Sequence, residues 1–327
     1  EESEIDENGV SYNGLRQYIK ERVFGHDEAI DKLAQKIYMN YTAKDNESIE
    51  SILLVGPTGT GKTETIHAAR DYLNIPSYEV NASNLVPQGI KGMSIEDVIV
   101  GLYESAGRNL KKAEKGIIFL DEFDKLPDAD LDLKQPVKNI LLTFTGGGNF
   151  PIDNDRYNFD FNSSRITKIY AGVFQRISEK VKALGFNSIQ ELNDVLGTDK
   201  EIRKKIIEKG YFTAEELTRI TTILGYGELN RDTKKEILLG SKLSEFSKKK
   251  ARYKRQFKID LIADDSYIDA ILDTIDKDAQ GMRNINNYVI ETIDTAEQEI
   301  LKGNVPKNKQ LVLSSATVYD PKIFEVK

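Results

Sequence analysis

Residues 56–63 read Gly-Pro-Thr-Gly-Thr-Gly-Lys-Thr and follow the apolar run Ile52–Val55. This is the G-x-x-x-x-G-K-T spacing of a phosphate-binding loop, which a buried strand precedes and a helix follows. The glycines let the backbone curl without Cβ clashes, so that successive N–H groups point at phosphate oxygens. The positive end of the helix that begins at Lys62 adds to this attraction. A glycine-rich turn that matches by chance is the alternative, and Lys-Thr in register after an apolar strand argues against it.

Two carboxylates, Asp121 and Glu122, end a second apolar run that begins at Gly116. A strand this apolar is typical of a parallel sheet covered on both faces, and ligands bind at the carboxyl ends of such strands. Lys62 is therefore expected to contact the β- and γ-phosphates, and Thr63 and Asp121 to bind Mg²⁺. Glu122 is expected to orient the water that attacks the γ-phosphate. Acidic residues that merely end a surface strand are the alternative, and the loop upstream argues against it.

Composition excludes several kinds of site. The 327 residues contain no cysteine and only two histidines, which excludes disulfides and thiolate zinc sites and argues against a histidine-built metal centre. No apolar run approaches the roughly 18 residues that span a bilayer, so no membrane contact is expected. The net charge of −7 favours solubility and gives no sign of bulk nucleic-acid affinity, and a cytoplasmic location is expected.

Alternating strand and helix patterns predict a doubly wound α/β sheet in the first part of the chain. The strands are predicted at Ile52–Val55, Ser77–Val80, Gly116–Glu122 and Ile166–Ala171, with one long helix at Ile95–Lys115. Helical spacing dominates after about residue 225, with one late strand at Gln310–Leu313. We therefore predict a large α/β domain at 1–225, disordered over 1–12, and a smaller, mainly helical domain at 226–327.

Several of these stretches together resemble the AAA+ ATPases, in the part of the Clp/Hsp100 branch that contains the ClpX and HslU families. Residues 18–26 are similar to the motif that this branch places beside adenine, usually written Val-Ile-Gly-Gln. Residues 121–126 read Asp-Glu-Phe-Asp-Lys-Leu, close to the branch's Asp-Glu-Ile-Asp-Lys-Ile. The resemblance spans roughly residues 15–315 and is loose beyond 185. It implies a P-loop NTPase core of the AAA+ type with a C-terminal helical lid.

The resemblance also implies an activity, cofactors and partners. The activity is ATP hydrolysis with Mg²⁺ in a homohexameric ring that remodels or unfolds protein substrates. The nucleotide contacts are expected at Val23, Phe24, Gly56, Pro57, Thr58, Gly59, Thr60, Gly61, Lys62, Thr63, Glu64 and Arg283. The catalytic residues are expected to be Lys62, Glu122 and Arg219. Arg219 matches the segment that carries the family's arginine finger, which would reach the neighbouring subunit's site; a surface arginine on a helix is the alternative.

The departures from the family pattern leave a second function open. Gln280 stands where the family has its sensing arginine, although Arg283 is retained. The strand that ends near Ala171 has no evident polar side chain at its end. Ile90, in Gly-Ile-Lys-Gly, replaces the aromatic residue with which Clp unfoldases grip substrates, and offers less contact area. The alternative to an unfoldase is therefore a nucleotide-gated binding or assembly scaffold that hydrolyses ATP slowly and threads nothing.

Other patterns in the sequence are less specific. Leu184-Gly185-Phe186 resembles the tripeptide by which some Clp ATPases dock on a peptidase ring, although a helix cap at the glycine explains it better. The basic stretch 248–255 could bind nucleic acid, but the spacing of its aromatic residues favours an amphipathic helix with a solvated basic face. His26 either lines the adenine pocket or only begins a helix. The acidic run at 128–132 lacks the glycine and glutamate of a calcium loop.

Overall fold

The computed structural model describes residues 9–44, 47–86, 92–128, 131–177, 198–278 and 280–327. The chain forms two compact units that divide after Glu228. Two short segments from the N-terminal part, Glu21–Gly25 and Thr58–Gly61, group with the second unit. Across these ranges, no helix is long and apolar enough to cross a lipid bilayer.

The first unit alternates strands and helices along the chain. Its strands are β1 (Ile52–Val55), β2 (Ser77–Asn81), β3 (Ile117–Asp121), β4 (Asn149–Asp153), β5 (Asn158–Asn162), β6 (Thr167–Gly172) and β7 (Thr222–Gly225). Its helices are α1 (Tyr12–Lys20), α2 (Asp27–Thr42), α3 (Lys62–Leu73), α4 (Ile95–Ser105), α5 (Leu110–Ala113), α6 (Leu131–Gly146), α7 (Asp199–Glu208) and α8 (Ala214–Leu217). Short 3₁₀ helices at Ala82–Asn84, Phe123–Asp128 and Ser163–Arg165 follow β2, β3 and β5.

Five of these strands form one parallel sheet in the order β2-β3-β6-β1-β7. The chain leaves β1 toward one edge of the sheet and later returns to place β7 on the other side of β1, so the strand order reverses beside β1. Val55 lies opposite Gly172 and Gly225, and Leu120 lies opposite Tyr170, so the carboxyl ends of four strands meet at one edge. The predicted doubly wound α/β class is confirmed, and this edge is where such sheets bind ligands.

The central strands form because their side chains are apolar on both faces. Every residue of β1 and β6 is buried, and β3 is buried up to its last residue. Such continuous apolar runs are typical of parallel strands covered on both sides, so these strands could be predicted from sequence. The four-residue strand β7 was missed, because a short apolar run between helices has no distinctive period.

The predicted long helix at Ile95–Lys115 is wrong. Gly107 and Arg108 adopt left-handed backbone angles, with φ of 65° and 63°, and they separate α4 from α5. A left-handed residue cannot continue a right-handed helix. The glycine- and asparagine-rich stretch that follows α6 contains the antiparallel hairpin of β4 and β5.

The second unit is mainly helical. It contains α9 (Arg231–Gly240), α10 (Glu245–Phe257), α11 (Asp265–Lys277), α12 (Ile285–Leu301) and α13 (Ser315–Tyr319), with a 3₁₀ helix at Gly281–Asn284. Strands β8 (Asp260–Ala263), β9 (Gln310–Leu313) and β10 (Glu325–Val326) form a sheet in the order β10-β9-β8. The predicted late strand is β9; its neighbours β8 and β10 were missed, because each is short and pairs only with distant sequence.

The basic stretch 248–255 lies within α10, as predicted. Phe246 and Tyr253 are buried in the core of the second unit, while Lys249 and Arg252 pair with Glu297 on α12. The helix is therefore amphipathic, and part of its basic face already has acidic partners within the same unit.

Lys168 is a charged residue inside the central sheet. It lies on β6 with 2% of its surface exposed. Its Nζ donates a hydrogen bond to the carbonyl oxygen of Ser163 at 2.6 Å and lies 5.6 Å from the centre of the Phe144 ring. Burial disfavours the charged form and lowers the pKa of Lys168 to about 8. Below this pH the folded chain carries a buried charge that the unfolded chain leaves in water.

Lys168→Met is expected to weaken the pH dependence of stability in mildly alkaline solution. Between pH 8 and the ordinary lysine pKa of 10.5, the unfolded chain holds a proton that the folded chain has released, so stability rises with pH. The wild-type protein should gain about 2 kcal/mol relative to the Met variant between about pH 7.5 and 9.5. Urea unfolding at both pH values measures this gain.

The control is Lys32→Met, the same substitution at a lysine whose side chain is 56% exposed on the surface of α2. If the difference in unfolding free energy between wild type and Lys168→Met were the same at both pH values, the buried-charge interpretation would be wrong.

Candidate active site

The base of the phosphate-binding loop is held by backbone groups of the two strands beside β1. The Gly56 N–H donates to the carbonyl oxygen of Gly172 at 3.1 Å, at the end of β6. The Tyr226 N–H, just after β7, donates to the carbonyl oxygen of Val55 at 2.7 Å. A Cβ atom on residue 56 would lie 1.9 Å from the carbonyl oxygen of Tyr226. Only glycine fits here, because the backbone of one strand end passes directly against the other.

The turn of the loop belongs to the second unit, with Val23 and Arg283. Gly61 has a φ of 91°, and a Cβ atom there would lie 2.8 Å from Cγ1 of Val23. A Cβ atom on Gly59 would lie 3.7 Å from the backbone nitrogen of Arg283. Two of the predicted contact residues, Val23 and Arg283, therefore lie beside the turn of the loop. The Phe24 ring lies farther along the same unit, 3.8 Å from the position a Cβ atom would take on Gly240.

Lys62 opens α3 and turns its ammonium group back toward the loop. Its Nζ donates to the carbonyl oxygens of Gly56 and Pro57 at 2.7 and 2.6 Å, and the residue is only 8% exposed. A buried ammonium needs such acceptors, because an unpaired buried charge is costly. The ammonium carries three N–H donors, and phosphate oxygens are acceptors of the same kind as these carbonyl oxygens.

Asp121 and Glu122 stand where β3 ends. The Asp121 carboxylate accepts a hydrogen bond from the Glu122 N–H at 2.8 Å. Glu122 has a φ of 52°, in the left-handed region that costs a non-glycine residue roughly 1 kcal/mol. This conformation turns the backbone sharply after the strand and leaves the Glu122 side chain exposed. Strain of this kind is often found at functional positions, because the surrounding structure must enforce it.

A hydroxyl that could not be picked out from the sequence lies beside Glu122. Asn81 ends β2 opposite Asp121, and Ser83 follows in the short 3₁₀ helix. The Ser83 Oγ lies 2.6 Å from Oδ1 of Asn81 and 3.3 Å from Oε2 of Glu122. One hydroxyl proton can serve only one of these acceptors at a time, and the Asn81 contact is the shorter. The Glu122 carboxylate is therefore held loosely. Polar residues at the carboxyl end of a predicted strand were the signal that could have revealed them.

The donor groups fit a hard cation such as Mg²⁺. The Thr63 hydroxyl and the Asp121 carboxylate are both half-buried and both supply oxygen, the ligand atom that Mg²⁺ prefers. Among the residues with described positions, no three His, Cys, Asp or Glu side chains group closely enough to hold a metal ion by themselves. Mg²⁺ usually takes one or two protein ligands and completes its shell with phosphates and water, so two oxygen donors would be enough.

His26 has a structural role in the first unit. It adopts left-handed backbone angles at the start of α2, and its ring lies 5.0 Å from the ring of Tyr226. Burial, with a smaller contribution from the nearby charge of Lys62, lowers the pKa of His26 to about 4. The ring is therefore neutral near pH 7 and adds no positive charge beside the loop.

Arg219 lies on the surface, tied to the end of a helix. Its Nη1 donates to the carbonyl oxygen of Leu142, in the last turn of α6, where the helix dipole attracts a cation. Arg203, on α7, donates to the carbonyl oxygens of Leu217 and Ile220 on either side of Arg219. The segment that carries Arg219 is thus firmly positioned, a feature that the sequence did not reveal.

Several sequence interpretations concern residues for which no position is described. Ile90 and the docking tripeptide at 184–186 lie outside the described residues. Gln280 is described, and its backbone N–H donates to the Asp278 carboxylate at 2.8 Å. Tyr170 supplies a hydroxyl on β6, but this group is buried and bonds Thr145, so no polar side chain is placed at the end of that strand.

Comparisons with known proteins agree with this geometry. The family described as "ATPase family associated with various cellular activities (AAA)" matches residues 52–177, which run from β1 past the end of β6. A protein of Treponema denticola named "ATP-dependent Clp protease ATP-binding subunit ClpX" is 27% identical over 354 residues, covering 96% of this chain and 84% of that protein.

Two further relatives carry the same name. The protein of Bacteroides thetaiotaomicron is 27% identical over 319 residues, covering 85% of this chain and 74% of its own length. The protein of Porphyromonas gingivalis is 29% identical over 189 residues, covering 51% of this chain and 46% of its own length. The family match coincides with the strands that carry the loop and the carboxylates, and the similarity to ClpX extends over most of the chain. Residues 52–177 therefore form an AAA ATPase domain, and the chain is similar to ClpX proteins of the Clp/Hsp100 branch over most of its length.

Proposed function

We propose that this ATPase is a ring-forming, magnesium-dependent remodelling enzyme that acts on protein substrates. The observation that carries the proposal is the meeting of three elements at one edge of the parallel sheet. β1 leads into the phosphate loop and Lys62, β3 ends at Asp121 with Glu122 directly after it, and β6 lies between the two strands. Phosphoryl transfer depends mainly on positioning and charge stabilisation, and this edge supplies both.

Each residue has a distinct task in this proposal. The loop amides and Lys62 bind and orient the triphosphate, and Lys62 exchanges its contacts with the loop carbonyls for phosphate oxygens. The Thr63 hydroxyl and the Asp121 carboxylate would hold Mg²⁺, which neutralises charge on the phosphate oxygens. Glu122, exposed and only loosely held by Ser83, orients the attacking water and polarises it. On the second unit, Val23, Phe24 and Arg283 would contact the nucleotide.

Arg219 is proposed to complete the active site of a neighbouring subunit. Its guanidinium is exposed, and the backbone on both sides of it is fixed by Arg203, which suits a residue that must reach a partner in a defined direction. The contact with Leu142 O uses one of five donors, so most of the guanidinium can still bind an anion. A homohexamer is the assembly that this role and the similarity to ClpX support.

Protein unfolding is the leading substrate-level proposal, and a nucleotide-gated scaffold is the alternative. The ClpX name of the relatives favours the first, and a peptidase partner for Leu184-Gly185-Phe186 would follow from it. Ile90 and Gln280 favour the second. The aliphatic side chain of Ile90 offers less contact area to a substrate than an aromatic ring would, and the neutral amide of Gln280 lacks the charge that would interact with the γ-phosphate. Nucleic acid is not expected as a partner, and a cytoplasmic location stays a prediction.

Glu122→Gln is expected to abolish turnover while leaving nucleotide binding intact. The amide keeps the size of the side chain but loses the negative charge that polarises the water, so hydrolysis should fall by about 100-fold or more. Steady-state phosphate release measures the rate, and calorimetric titration with ATP and Mg²⁺ measures the affinity. Glu208→Gln, the same chemical change at a glutamate on α7 that is 58% exposed and has no proposed role in the site, is the comparison and should affect hydrolysis far less. A Glu122→Gln protein as fast as wild type would rule out this catalytic role.

Arg219→Ala is expected to lower hydrolysis by about 10³-fold, because a positioned guanidinium stabilises charge in the transition state. Its action in trans is tested by mixing. When Glu122→Gln and Arg219→Ala subunits are co-assembled, some sites pair an intact Glu122 with an intact Arg219 of the neighbour. Such mixed rings should hydrolyse ATP much faster than rings of either variant alone. No recovery on mixing would place Arg219 outside the neighbouring site.

Unfolding is tested with a fluorescent protein that carries a peptide extension. If the chain is an unfoldase, the fluorescence should fall only with hydrolysable ATP and not with the Glu122→Gln protein. If it is a scaffold, no extension tried will support loss of fluorescence, although ATP will still change the assembly state seen by light scattering. Fluorescence loss without nucleotide would contradict both interpretations.

A further inference from the structure

A buried carboxylate outside the proposed catalytic set joins two parts of the site. Asp124 follows Glu122 by two positions, in the 3₁₀ helix Phe123–Asp128, and is only 4% exposed. Its Oδ1 accepts a hydrogen bond from the Val173 N–H at 3.2 Å, and its Oδ2 accepts one from the Phe174 N–H at 3.1 Å. Both acceptor oxygens are therefore directed at the backbone that follows β6.

The backbone after β6 is shaped around this carboxylate. A Cβ atom on Gly172 would lie 2.6 Å from Oδ1 of Asp124, so the strand end approaches the carboxylate as closely as a glycine allows. Phe174 has a φ of 53°, a strained conformation for a bulky residue. Its buried ring packs edge-on against Tyr211 with the ring centres 4.9 Å apart. The two hydrogen bonds that Asp124 accepts from this backbone help to hold the chain in this conformation.

Asp124 is connected to both halves of the site through the backbone. On one side, the Lys125 N–H donates to the carbonyl oxygen of Glu122 at 3.0 Å, which closes the turn that holds Glu122 in its left-handed conformation. On the other side, the carbonyl oxygen of Gly172 accepts the hydrogen bond from Gly56 at the base of the phosphate loop. The carboxylate thus lies between the turn that presents Glu122 and the strand end that holds the loop.

We propose that Asp124 is a positioning residue that keeps Glu122 in register with the phosphate loop. The proposal rests on the proposed role of Glu122 and goes beyond it. The end of β6 carries no polar side chain of its own. The backbone that follows β6 is held instead by Asp124, which follows β3 in the chain. Two N–H donors require two acceptors on one side chain. A carboxylate provides them, whereas the amide of asparagine provides only one and turns its own donors toward a backbone N–H.

Asp124→Ala and Asp124→Asn are the test variants. Both are expected to lower kcat, because a displacement near 1 Å in a positioned group can cost about 100-fold in rate. We expect roughly a 10- to 100-fold loss for the alanine variant and a smaller loss for the nearly isosteric asparagine variant. The ATP affinity measured by calorimetry should change by less than about threefold, because the loop amides and Lys62 remain. Circular dichroism shows whether each variant is folded.

Asn40→Ala is the matched control. Asn40 is 6% exposed and makes the same kind of two-bond clamp, since its side chain donates to the carbonyl oxygen of Glu50 and accepts from the Glu50 N–H, both at 2.9 Å. This clamp holds the chain before β1, at the end of the strand opposite to the phosphate loop. Its loss should lower thermal stability and leave kcat within about twofold of wild type. An equal loss of kcat in Asn40→Ala would reduce the Asp124 effect to general destabilisation.

A double-mutant cycle separates this proposal from the proposed function. If Asp124 acts through Glu122, Asp124→Ala should add little to the loss already caused by Glu122→Gln. Fully additive losses, or a kcat unchanged in both Asp124 variants, would overturn the positioning role and leave the role of Glu122 standing. Wild-type turnover in Glu122→Gln itself would instead remove the proposed function on which the inference rests.

Discussion

The active edge of the first unit depends on the close approach of two strand ends to the start of the phosphate loop. The backbone of Gly56 bonds to the end of β6 and passes against the carbonyl oxygen of Tyr226 after β7. The hydrogen bond from Gly56 extends the backbone pairing of β1 by one residue beyond Val55. The loop therefore leaves the sheet from a fixed point, and its amides can be arranged in advance for a polyanion. Any side chain at position 56 would push these ends apart.

Before a ligand binds, Lys62, His26 and Glu122 each avoid an unpaired buried charge, and each does so in a different way. Lys62 is satisfied by carbonyl oxygens of its own loop, and His26 is kept neutral by burial. Glu122 is exposed, strained and held by a hydroxyl that has a closer alternative partner. A buried cation that can change acceptors and an exposed carboxylate that can move suit phosphoryl transfer, in which positioning and charge stabilisation supply most of the effect.

The polar groups that support the site come from parts of the chain far apart in sequence. Asn81 and Ser83 reach Glu122 because β2 lies beside β3, and Asp124 reaches the end of β6 because β3 and β6 are neighbours. Arg203 fixes the segment around Arg219 from a different helix. Each of these contacts depends on which strands and helices are adjacent. Composition and residue spacing do not show which strands and helices are adjacent. These supporting residues therefore could not be identified from the sequence, whereas the phosphate loop could be identified from its spacing.

The sequence alone determined the phosphate loop, the carboxylate pair and the α/β class, because each is encoded in a contiguous run whose spacing or apolar character is dictated by local physics. The short strands β7, β8 and β10 and the break between α4 and α5 were missed, since a four-residue strand is defined by its partners and a left-handed turn by its surroundings. Only the tertiary structure decided which side chains support Glu122 and what holds the base of the loop. Those choices follow from hydrogen bonds between strand ends that come together only when the sheet has formed.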